Sequence, residues 1–289
     1  MSASTGQGMV DIHHHLLPGL DDGPRDWGQS LAMARAAVRS GIRTVVATPH
    51  VHPGRPGQPG RAAIVEMVDE LRSRLASEGC ELEVLPGAEV YPVPDLARWL
   101  AQGGPGWELG QGARTRYVLL DLPLDRLPPH FDRLLFEVAL GGLIPVIAHP
   151  ERNRQLAERP QALVPLAERG AVVQVTAQSL TGGFGRQAQQ AAMWLVRHGV
   201  ARVVATDAHD VVHRSPRALQ EAWRHLAHHL GVEAADRLCV HWPRQVARGE
   251  PLSDPVPADG QPARRLEAPG VRDLVRGLRA WWERRASSF

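Results

Sequence analysis

Residues 144–149 read Ile-Pro-Val-Ile-Ala-His, and this pattern decides the fold because it recurs along the chain. It is a short apolar run that ends at a polar residue whose side chain can bind a metal or act in catalysis. Seven runs have the length and the β-branched content of buried strands; they cover residues 10–12, 44–48, 82–85, 117–120, 144–147, 172–175 and 203–205. Six of the seven end in histidine, aspartate or glutamate.

Segments with apolar residues at helical spacing lie between most of these runs. They cover residues 27–38, 64–75, 131–140, 187–196 and 216–230. Strands that alternate with helices predict parallel βα units, and seven such strands favour a barrel over an open sheet. The carboxyl ends of the strands in a parallel barrel meet on one face, where active sites lie. We therefore expect an α/β barrel whose functional residues come from distant parts of the sequence.

The first run ends in three consecutive histidines, and two of them point the same way. His13 and His15 lie two residues apart, so in an extended segment their side chains project to one side. Two imidazoles on one side form half of a site for a divalent metal. By itself the pair is equally compatible with a polar strand end, and three histidines inside an apolar context are too few for an expression tag.

The other strand ends strengthen the metal hypothesis. A single polar residue after a strand is usually structural, but the whole set is hard to explain without metal. Imidazole and carboxylate ligands together suit manganese, iron or zinc, and the lack of thiolate ligands argues against a purely structural zinc site. The further candidates are Asp22, His50, Glu89, Asp121, His149, Asp207 and His209.

Composition excludes several classes of protein. The chain has 289 residues and a formal net charge of +2, which gives no basis for binding nucleic acid through bulk charge. All 33 basic residues are arginine, so no lysine can act in catalysis. Thiolate tyrosine phosphatases need a Cys-x5-Arg phosphate loop, but the sixth residues after Cys80 and Cys239 are Pro86 and Gln245. No apolar run reaches the length of a spanning helix and no signal peptide is evident, so we expect a cytoplasmic protein.

The chain divides into three parts. Residues 1–250 carry the barrel pattern, residues 251–270 form a proline-rich linker, and residues 271–289 form a basic amphipathic helix. The adjacent Trp281 and Trp282, with arginines around them, suit weak contact with the inner face of an anionic membrane. The alternative is that this apolar stripe packs on the barrel or on a second subunit of a homo-oligomer.

Several motifs in order make the chain resemble the PHP (polymerase and histidinol phosphatase) superfamily. Within it, the chain resembles the bacterial manganese-dependent tyrosine-protein phosphatases of capsule and exopolysaccharide operons, the CpsB/YwqE type. The motifs are Asp11-Ile-His-His-His15, Asp21-Asp-Gly-Pro24, Ala47-Thr-Pro-His50, Pro86-Gly-Ala-Glu89, Pro145-Val-Ile-Ala-His-Pro-Glu-Arg152 and Thr206-Asp-Ala-His209. The resemblance covers residues 10–248 and implies a PHP-type distorted (β/α)7 barrel with metals at the carboxyl ends of the strands.

The resemblance also implies the arrangement of the site. Three metal ions are expected, with manganese first and iron or zinc as alternatives. The first ion takes His13, His15, Glu89 and Asp207; the second shares Glu89 and adds Asp121 and His149; the third takes Asp22, His50 and His209. Asp121 departs from the family, which usually has glutamate there. Arg152 and Arg214 match the family's phosphate-binding arginines, and with Asp207 they complete the expected catalytic set; His14 and His52 are not ligands and are expected behind the ligands or at the surface.

The function that follows is hydrolysis of phosphotyrosine by a metal-activated hydroxide. The resemblance implies a phosphotyrosine protein as partner, namely an autophosphorylating bacterial tyrosine kinase, and a role in capsule or exopolysaccharide synthesis. Two alternatives stay open. One is a small-molecule phosphatase, for example of histidinol phosphate, which would use the same metals. The other is a regulatory module that docks to a membrane through its C-terminal segment.

Overall fold

The computed structural model describes residues 8–102, 107–110 and 115–253, and the structural statements below concern these residues. The expected C-terminal helix, and the expected linker beyond residue 253, lie outside the described residues. The strands are β1 (Met9–His14), β2 (Ile42–Ala47), β3 (His50–Val51), β4 (Glu83–Pro86), β5 (Glu89–Val90), β6 (Arg116–Leu120), β7 (Leu143–Ala148), β8 (Val172–Thr176) and β9 (Ala201–Ala205).

Helices follow most of the strands. They are α1 (Trp27–Arg39), α2 (Arg61–Ser77), α3 (Leu96–Gln102), α4 (Phe131–Leu140), α5 (Arg154–Glu158), α6 (Val164–Glu168), α7 (Ala177–Leu180), α8 (Arg186–Arg197), α9 (Arg217–Leu230), α10 (Val232–Asp236) and α11 (Trp242–Arg248). Short 3₁₀ turns lie at Pro150–Arg152 and Pro160–Leu163, and a π-helical turn at Arg237–His241 joins α10 to α11. The predicted α/β class is confirmed, and each strand and helix that was predicted within residues 8–253 has its counterpart.

The strands form a ring in which every pairing between named strands is parallel. Hydrogen bonds define one sheet of β1-β2-β4 and one of β3-β5-β6-β7-β8-β9. Only two residues separate β2 from β3, and only two separate β4 from β5. Each of these pairs is therefore one interrupted strand, and the nine strands form seven chain segments. A parallel bridge between His14 and Ala208 then joins β1 to the end of β9. The order of the segments therefore closes on itself, as expected of a distorted seven-stranded barrel.

Close backbone approach explains one interruption. A Cβ atom at Gly87 would lie 2.7 Å from Val46 Cγ1 and 3.2 Å from Leu109 Cδ2, so only glycine fits between β4 and β5. After the interruption the pairing resumes, because Glu89 N–H donates to Pro49 O at 3.1 Å. The break turns the Glu89 side chain toward the carboxyl face of the ring, where it is completely buried.

The ring is packed on both faces. Every residue of β7 is buried, which is typical of parallel strands covered on both sides and explains their continuous apolar runs. The helices present one apolar stripe to the strands; α8, for example, buries Ala188, Ala191, Ala192, Leu195 and Val196, at helical spacing. This rigid core fixes the positions of the strand ends. Among the described residues, no helix combines the length and hydropathy needed to cross a bilayer.

Candidate metal centre

The ends of β1, β5 and β9 bring four side chains to one point. His13 Nε2 lies 3.2 Å from Glu89 Oε2, 3.4 Å from Asp207 Oδ1 and 3.3 Å from His15 Nε2. His15 Nε2 lies 3.4 Å from both Glu89 Oε2 and Asp207 Oδ1. Ligand atoms about 2.1 Å from a tetrahedral metal are roughly 3.4 Å apart. The four atoms therefore have the mutual spacing of a metal's coordination shell.

A second group lies on the other side of Glu89. Its Oε1 atom is 2.9 Å from His149 Nε2, which in turn is 3.6 Å from Asp121 Oδ1. Since Glu89 Oε2 belongs to the first group, the two oxygens of one carboxylate face two different groups. Asp121 side-chain atoms are 18% exposed, so this group is close to solvent. A carboxylate placed between two such groups has the geometry of a bridging ligand.

The third group lies toward solvent. Asp22 Oδ1 is 3.0 Å from His209 Nε2 and 3.4 Å from His50 Nε2. The other nitrogen of His50, Nδ1, lies 2.9 Å from Glu89 Oε2, so this imidazole spans two groups. The Asp22 side chain is 63% exposed and marks the open side of the cluster. All nine residues predicted as ligands thus lie in one connected cluster.

Both predicted arginines reach the same cluster. Arg152 Nη1 donates to Asp207 Oδ2 at 2.5 Å, and Arg214 forms an ion pair with the same oxygen. Arg214 Nη1 also lies 3.9 Å from Asp22 Oδ2. Asp207 therefore directs Oδ1 at the histidines and Oδ2 at the guanidinium groups. The arginine side chains are 16% and 26% exposed, so both retain access to a ligand.

Two carboxylates of the cluster, Glu89 and Asp207, are held in their charged form, whereas burial raises the pKa of Asp121 to about 6. Burial acts to raise the pKa of Glu89, but His13 and the other neighbouring imidazoles lower it more, to well below its ordinary value. Burial and neighbouring positive charge act in the same opposed way on Asp207, whose pKa is also lowered. His50 shows the complement: burial lowers its pKa, but contacts with Asp22 and Glu89 raise it to about 10. The carboxylates of Glu89 and Asp207 are therefore stabilised by the positive charge that lies close to them.

The hydrogen bonding of three buried ligand atoms indicates whether a cation fits the cluster. Glu89 Oε2, His50 Nδ1 and His209 Nε2 make no hydrogen bond of acceptable geometry within the described part of the chain, although each lies close to another ligand atom. Buried polar atoms are normally hydrogen-bonded. Lone-pair atoms that converge without hydrogen bonds, from a set of imidazoles and carboxylates, fit divalent metal ions of the borderline to hard kind.

Two orienting residues were missed by the sequence analysis. Asp21 Oδ2 lies 2.7 Å from His15 Nδ1 and accepts the N–H of His50 at 3.1 Å. Gln174 Oε1 lies 3.0 Å from His13 Nδ1. Each acceptor fixes a tautomer that leaves the Nε2 lone pair directed at the cluster, which is the usual support for metal-binding histidine. Gln174 lies on β8, whose run alone among the seven has no His, Asp or Glu at its end, so the pattern gave no signal.

Two strand ends adopt backbone conformations that are rare outside glycine. His149 has φ 36° and Asp207 has φ 54°, both in the left-handed region. Such conformations cost about 1–3 kcal/mol and concentrate at functional sites. Hydrogen bonding offsets the cost at Asp207, whose N–H donates to His13 O at 2.8 Å. The backbone turn at each position directs the side chain into the cluster.

The remaining histidines and cysteines lie apart from the ligand groups. His14 is completely buried, and burial lowers its pKa to about 3, so of the two expected locations it takes the one behind the ligands and not the one at the surface. His52 stacks on Tyr91 with ring centroids 4.7 Å apart. Cys80 and Cys239 are free thiols whose pKa values are raised by burial, which disfavours the thiolate form. Neither cysteine belongs to the ligand groups.

A groove of about 1430 Å³ is lined by residues that follow three of the site residues in the chain, and none of the nine ligand candidates is among its walls. Three of its wall residues lie two positions after a site residue. Tyr91 follows Glu89, Pro123 follows Asp121, and Arg154 follows Arg152. The other walls come from the loops before α3 and α4 and from α5, and include several prolines and both acidic and basic side chains. The groove is larger than one phosphorylated side chain needs, since pockets for small ligands span about 300–1,000 Å³.

Replacing Asp121 by Glu is expected to be tolerated and to tighten metal binding at the second group by up to about tenfold. The added methylene extends the carboxylate by about 1.5 Å and recovers reach toward His149, which is now 3.6 Å away. Competition with a fluorescent chelator measures the dissociation constant, and Asp125→Glu in the same loop is the control. Loss of metal on this change would mean that the local backbone has adjusted to the shorter side chain.

Comparison with known proteins gives close relatives over most of the chain. The family model for capsular polysaccharide synthesis, CpsB/CapC, matches residues 9–248. Tyrosine-protein phosphatase YwqE of Bacillus subtilis (strain 168) is 43% identical over 208 residues, which are 72% of this chain and 80% of that protein. Tyrosine-protein phosphatase CpsB of Streptococcus pneumoniae is 27% identical over 243 residues, which are 82% of this chain and 98% of that protein.

Solved structures agree with these relatives. A crystal structure from the work on YwqE of Bacillus subtilis and CpsB of Streptococcus pneumoniae, described there as unique metal-dependent tyrosine phosphatases, matches with a TM-score of 0.78 and 39% identity. The match covers 89% of this chain and 100% of that chain. The phosphotriesterase homology protein of Escherichia coli matches with a TM-score of 0.51 at 12% identity, covering 83% of this chain and 99% of that chain, and supports the fold alone.

Proposed function

The chain belongs to the CpsB/CapC family of capsular polysaccharide synthesis, and from this premise we propose that it is a metal-dependent protein-tyrosine phosphatase acting in capsule or exopolysaccharide synthesis. The observation that carries the proposal is the convergence of nine imidazole and carboxylate side chains on one face of the barrel. Two arginines contact that cluster and offer the charge that a phosphoryl group needs. The metal-dependent tyrosine phosphatases to which the chain is similar support the same activity.

The three groups described above would hold three divalent ions, with manganese as the first expectation and iron or zinc as alternatives. The first ion would take His13, His15, Glu89 and Asp207, the second Glu89, Asp121 and His149, and the third Asp22, His50 and His209. When bound, such ions lower the pKa of a water nucleophile and neutralise phosphoryl charge during in-line displacement. Asp21 and Gln174 would keep the histidines in the tautomer that this role requires.

The protein's own groups would hold the phosphoryl oxygens. Arg152 and Arg214 are both anchored on Asp207 Oδ2, which fixes their guanidinium groups at the edge of the cluster. The guanidinium fork matches two phosphoryl oxygens better than a single ammonium does. Asp207 therefore has two functions in this proposal, since it is a ligand through Oδ1 and a positioning group for the arginines through Oδ2.

A protein substrate is favoured over a small molecule by the groove of about 1430 Å³, whose walls include residues that come two positions after Glu89, Asp121 and Arg152. Histidinol phosphate and similar compounds would leave most of it unfilled. The experiment compares kcat/KM for a phosphotyrosine peptide and for histidinol phosphate with the same metal-loaded protein. A clear preference for the peptide supports the proposal, and a preference for histidinol phosphate would replace it with the small-molecule alternative.

Replacing Arg152 by Ala is expected to reduce kcat/KM for a phosphotyrosine peptide by about a hundredfold, because arginine contacts to transferring phosphate are worth several kcal/mol. The melting temperature should change by less than about 3 °C, since its side chain is on the cluster's edge rather than in the core. Arg152→Lys, which keeps the charge but loses the fork, should recover part of the rate. A large drop in melting temperature with normal kinetics would assign Arg152 to structure.

The physiological partner that we propose is an autophosphorylating tyrosine kinase on the cytoplasmic side of the membrane. Free Cys80 and Cys239 are consistent with a reducing compartment. The basic C-terminal segment, residues 271–289, would bring the protein to such a kinase through weak contact with anionic lipid, or would join two copies in a homo-oligomer. The net charge of +2 gives no support to a nucleic-acid partner.

A further inference from the structure

An aromatic side chain covers one of the two arginines at the cluster. Phe184 lies in the loop between α7 and α8, and the guanidinium carbon of Arg152 is 4.3 Å from its ring centroid. The edge of the same guanidinium group donates to Asp207 at 2.5 Å. Arg152 is therefore held on one edge by a carboxylate and on one face by an aromatic ring. Phe184 is only partly buried, so some of its ring remains available to a ligand.

Glycines fix the path of the loop that carries Phe184. Gly182 and Gly185 have φ of +89° and +90°, which disfavours other residues. A Cβ atom at Gly183 would lie 2.3 Å from the Gln178 side chain. Gln178 in turn donates from Nε2 to His213 O at 3.0 Å, which joins this loop to the loop that carries Arg214. The position of Phe184 is therefore set by backbone geometry and not by the ring's own packing alone.

The turn that carries Arg152 is joined to the base of the Phe184 loop. Glu151 Oε1 accepts the N–H of Thr176 at 2.8 Å and the hydroxyl of Ser179 at 2.7 Å. Glu151 is completely enclosed, with 1% exposure. Through these bonds the 3₁₀ turn and α7 form one unit, so that the arginine and the ring keep a constant relative position.

We propose that Phe184 is a specificity-determining residue that contacts the aromatic ring of an aryl phosphate while Arg152 holds its phosphoryl group. The inference rests on the proposed function and deepens it. A phosphoryl group at the free edge of Arg152 leaves its ester substituent beside the Phe184 ring, and aromatic rings attract one another beyond the effect of buried area. Val211 and Val212, which are 46% and 73% exposed, add apolar surface on the neighbouring loop. An alkyl phosphate would leave this surface without a partner.

Two inhibitors that share a phosphonate group distinguish two roles of Phe184. One role is contact with the aryl ring of the ligand, and the other is support of the Arg152 side chain. The dissociation constants of phenylphosphonate and methylphosphonate are measured by calorimetry on the full, metal-loaded chain. Phe184→Ala should weaken phenylphosphonate roughly tenfold and methylphosphonate less than about twofold, because only the first has a ring to lose. Phe184→Leu should show an intermediate loss, and Phe184→Tyr should restore the wild-type ratio.

The control variant is Leu140→Ala, at an exposed position at the end of α4, which should change neither constant. Equal weakening of both phosphonates by Phe184→Ala would overturn the proposal and leave Phe184 as a support for Arg152. Failure of phenylphosphonate to bind the wild-type chain more tightly than methylphosphonate would also overturn it. Turnover of a phosphotyrosine peptide is measured separately, so failure of the proposed function and failure of the Phe184 assignment are distinguishable.

Discussion

Removal of divalent metal with EDTA is expected to abolish phosphotyrosine hydrolysis, while loss of both cysteines leaves it unchanged. Among residues 8–102, 107–110 and 115–253, the ligand atoms Glu89 Oε2, His50 Nδ1 and His209 Nε2 find no hydrogen-bond partner that would replace a lost cation. Without metal the enzyme loses both the activation of water and the neutralisation of phosphoryl charge, which corresponds to a rate loss on the order of 10³ or more. Turnover of a phosphotyrosine peptide, before and after chelation, measures the effect.

The matched control replaces the two thiols. Cys80→Ser and Cys239→Ala together should retain most of the rate, because burial raises both thiol pKa values and neither cysteine begins a Cys-x5-Arg loop. Alanine is used at Cys239 because that position is completely buried and a serine hydroxyl there would lose its contact with water. Re-addition of manganese, iron and zinc in parallel then ranks the metals. An enzyme that resists chelation and needs a thiol would refute the mechanism.

Replacing Glu89 by Gln is expected to lower metal content at two sites at once and to reduce kcat/KM by about 10³. Glu89 Oε2 lies 3.2 Å from His13 Nε2 in the first group, and Oε1 lies 2.9 Å from His149 Nε2 in the second. Glutamine preserves the size of the side chain but removes its charge and one of its acceptor oxygens. Elemental analysis of the purified variant measures the metals bound per chain.

The comparison variant is His149→Ala, which belongs to the second group alone and should lower metal content at one site. Glu137→Gln, on the surface of α4 where Glu137 pairs with Arg133 at 2.8 Å, should leave metal content unchanged. Circular dichroism of each variant checks the fold. If Glu89→Gln retains the wild-type number of metals per chain, the bridging assignment is incorrect.

The metal-ligand candidates could be predicted because topology alone brings them together. Once parallel strands alternate with helices, any polar residue at the end of a strand lies on the same face, whatever the register. Glu89 and Asp207, which are 118 positions apart in the printed sequence, meet for this reason. For the strand-end candidates the prediction needed only the period of the apolar runs and the polar residues that follow them, whereas Asp22 lies in a loop and its place in the third group came from the resemblance.

The orienting contacts could not be predicted in the same way. Gln174 reaches His13 from the middle of a strand, and its role depends on the register of β8 and on a side-chain rotamer. Phe184 depends on the left-handed turns at Gly182 and Gly185 and on the position of α7. Such contacts are set by packing, and neither hydrophobic period nor residue type at a strand end reports them.

The closure of the ring between β1 and β9 has a consequence for how the protein is made. His15 N–H donates to Ala208 O at 2.9 Å, and Asp207 N–H donates to His13 O at 2.8 Å, so the same seam closes the barrel and assembles the first metal group. These contacts join segments that leave the ribosome far apart in time, and long-range contacts form late because loop closure costs entropy. A nascent chain that still lacks β9 cannot complete the four-ligand group, so full metal loading follows the last step of folding.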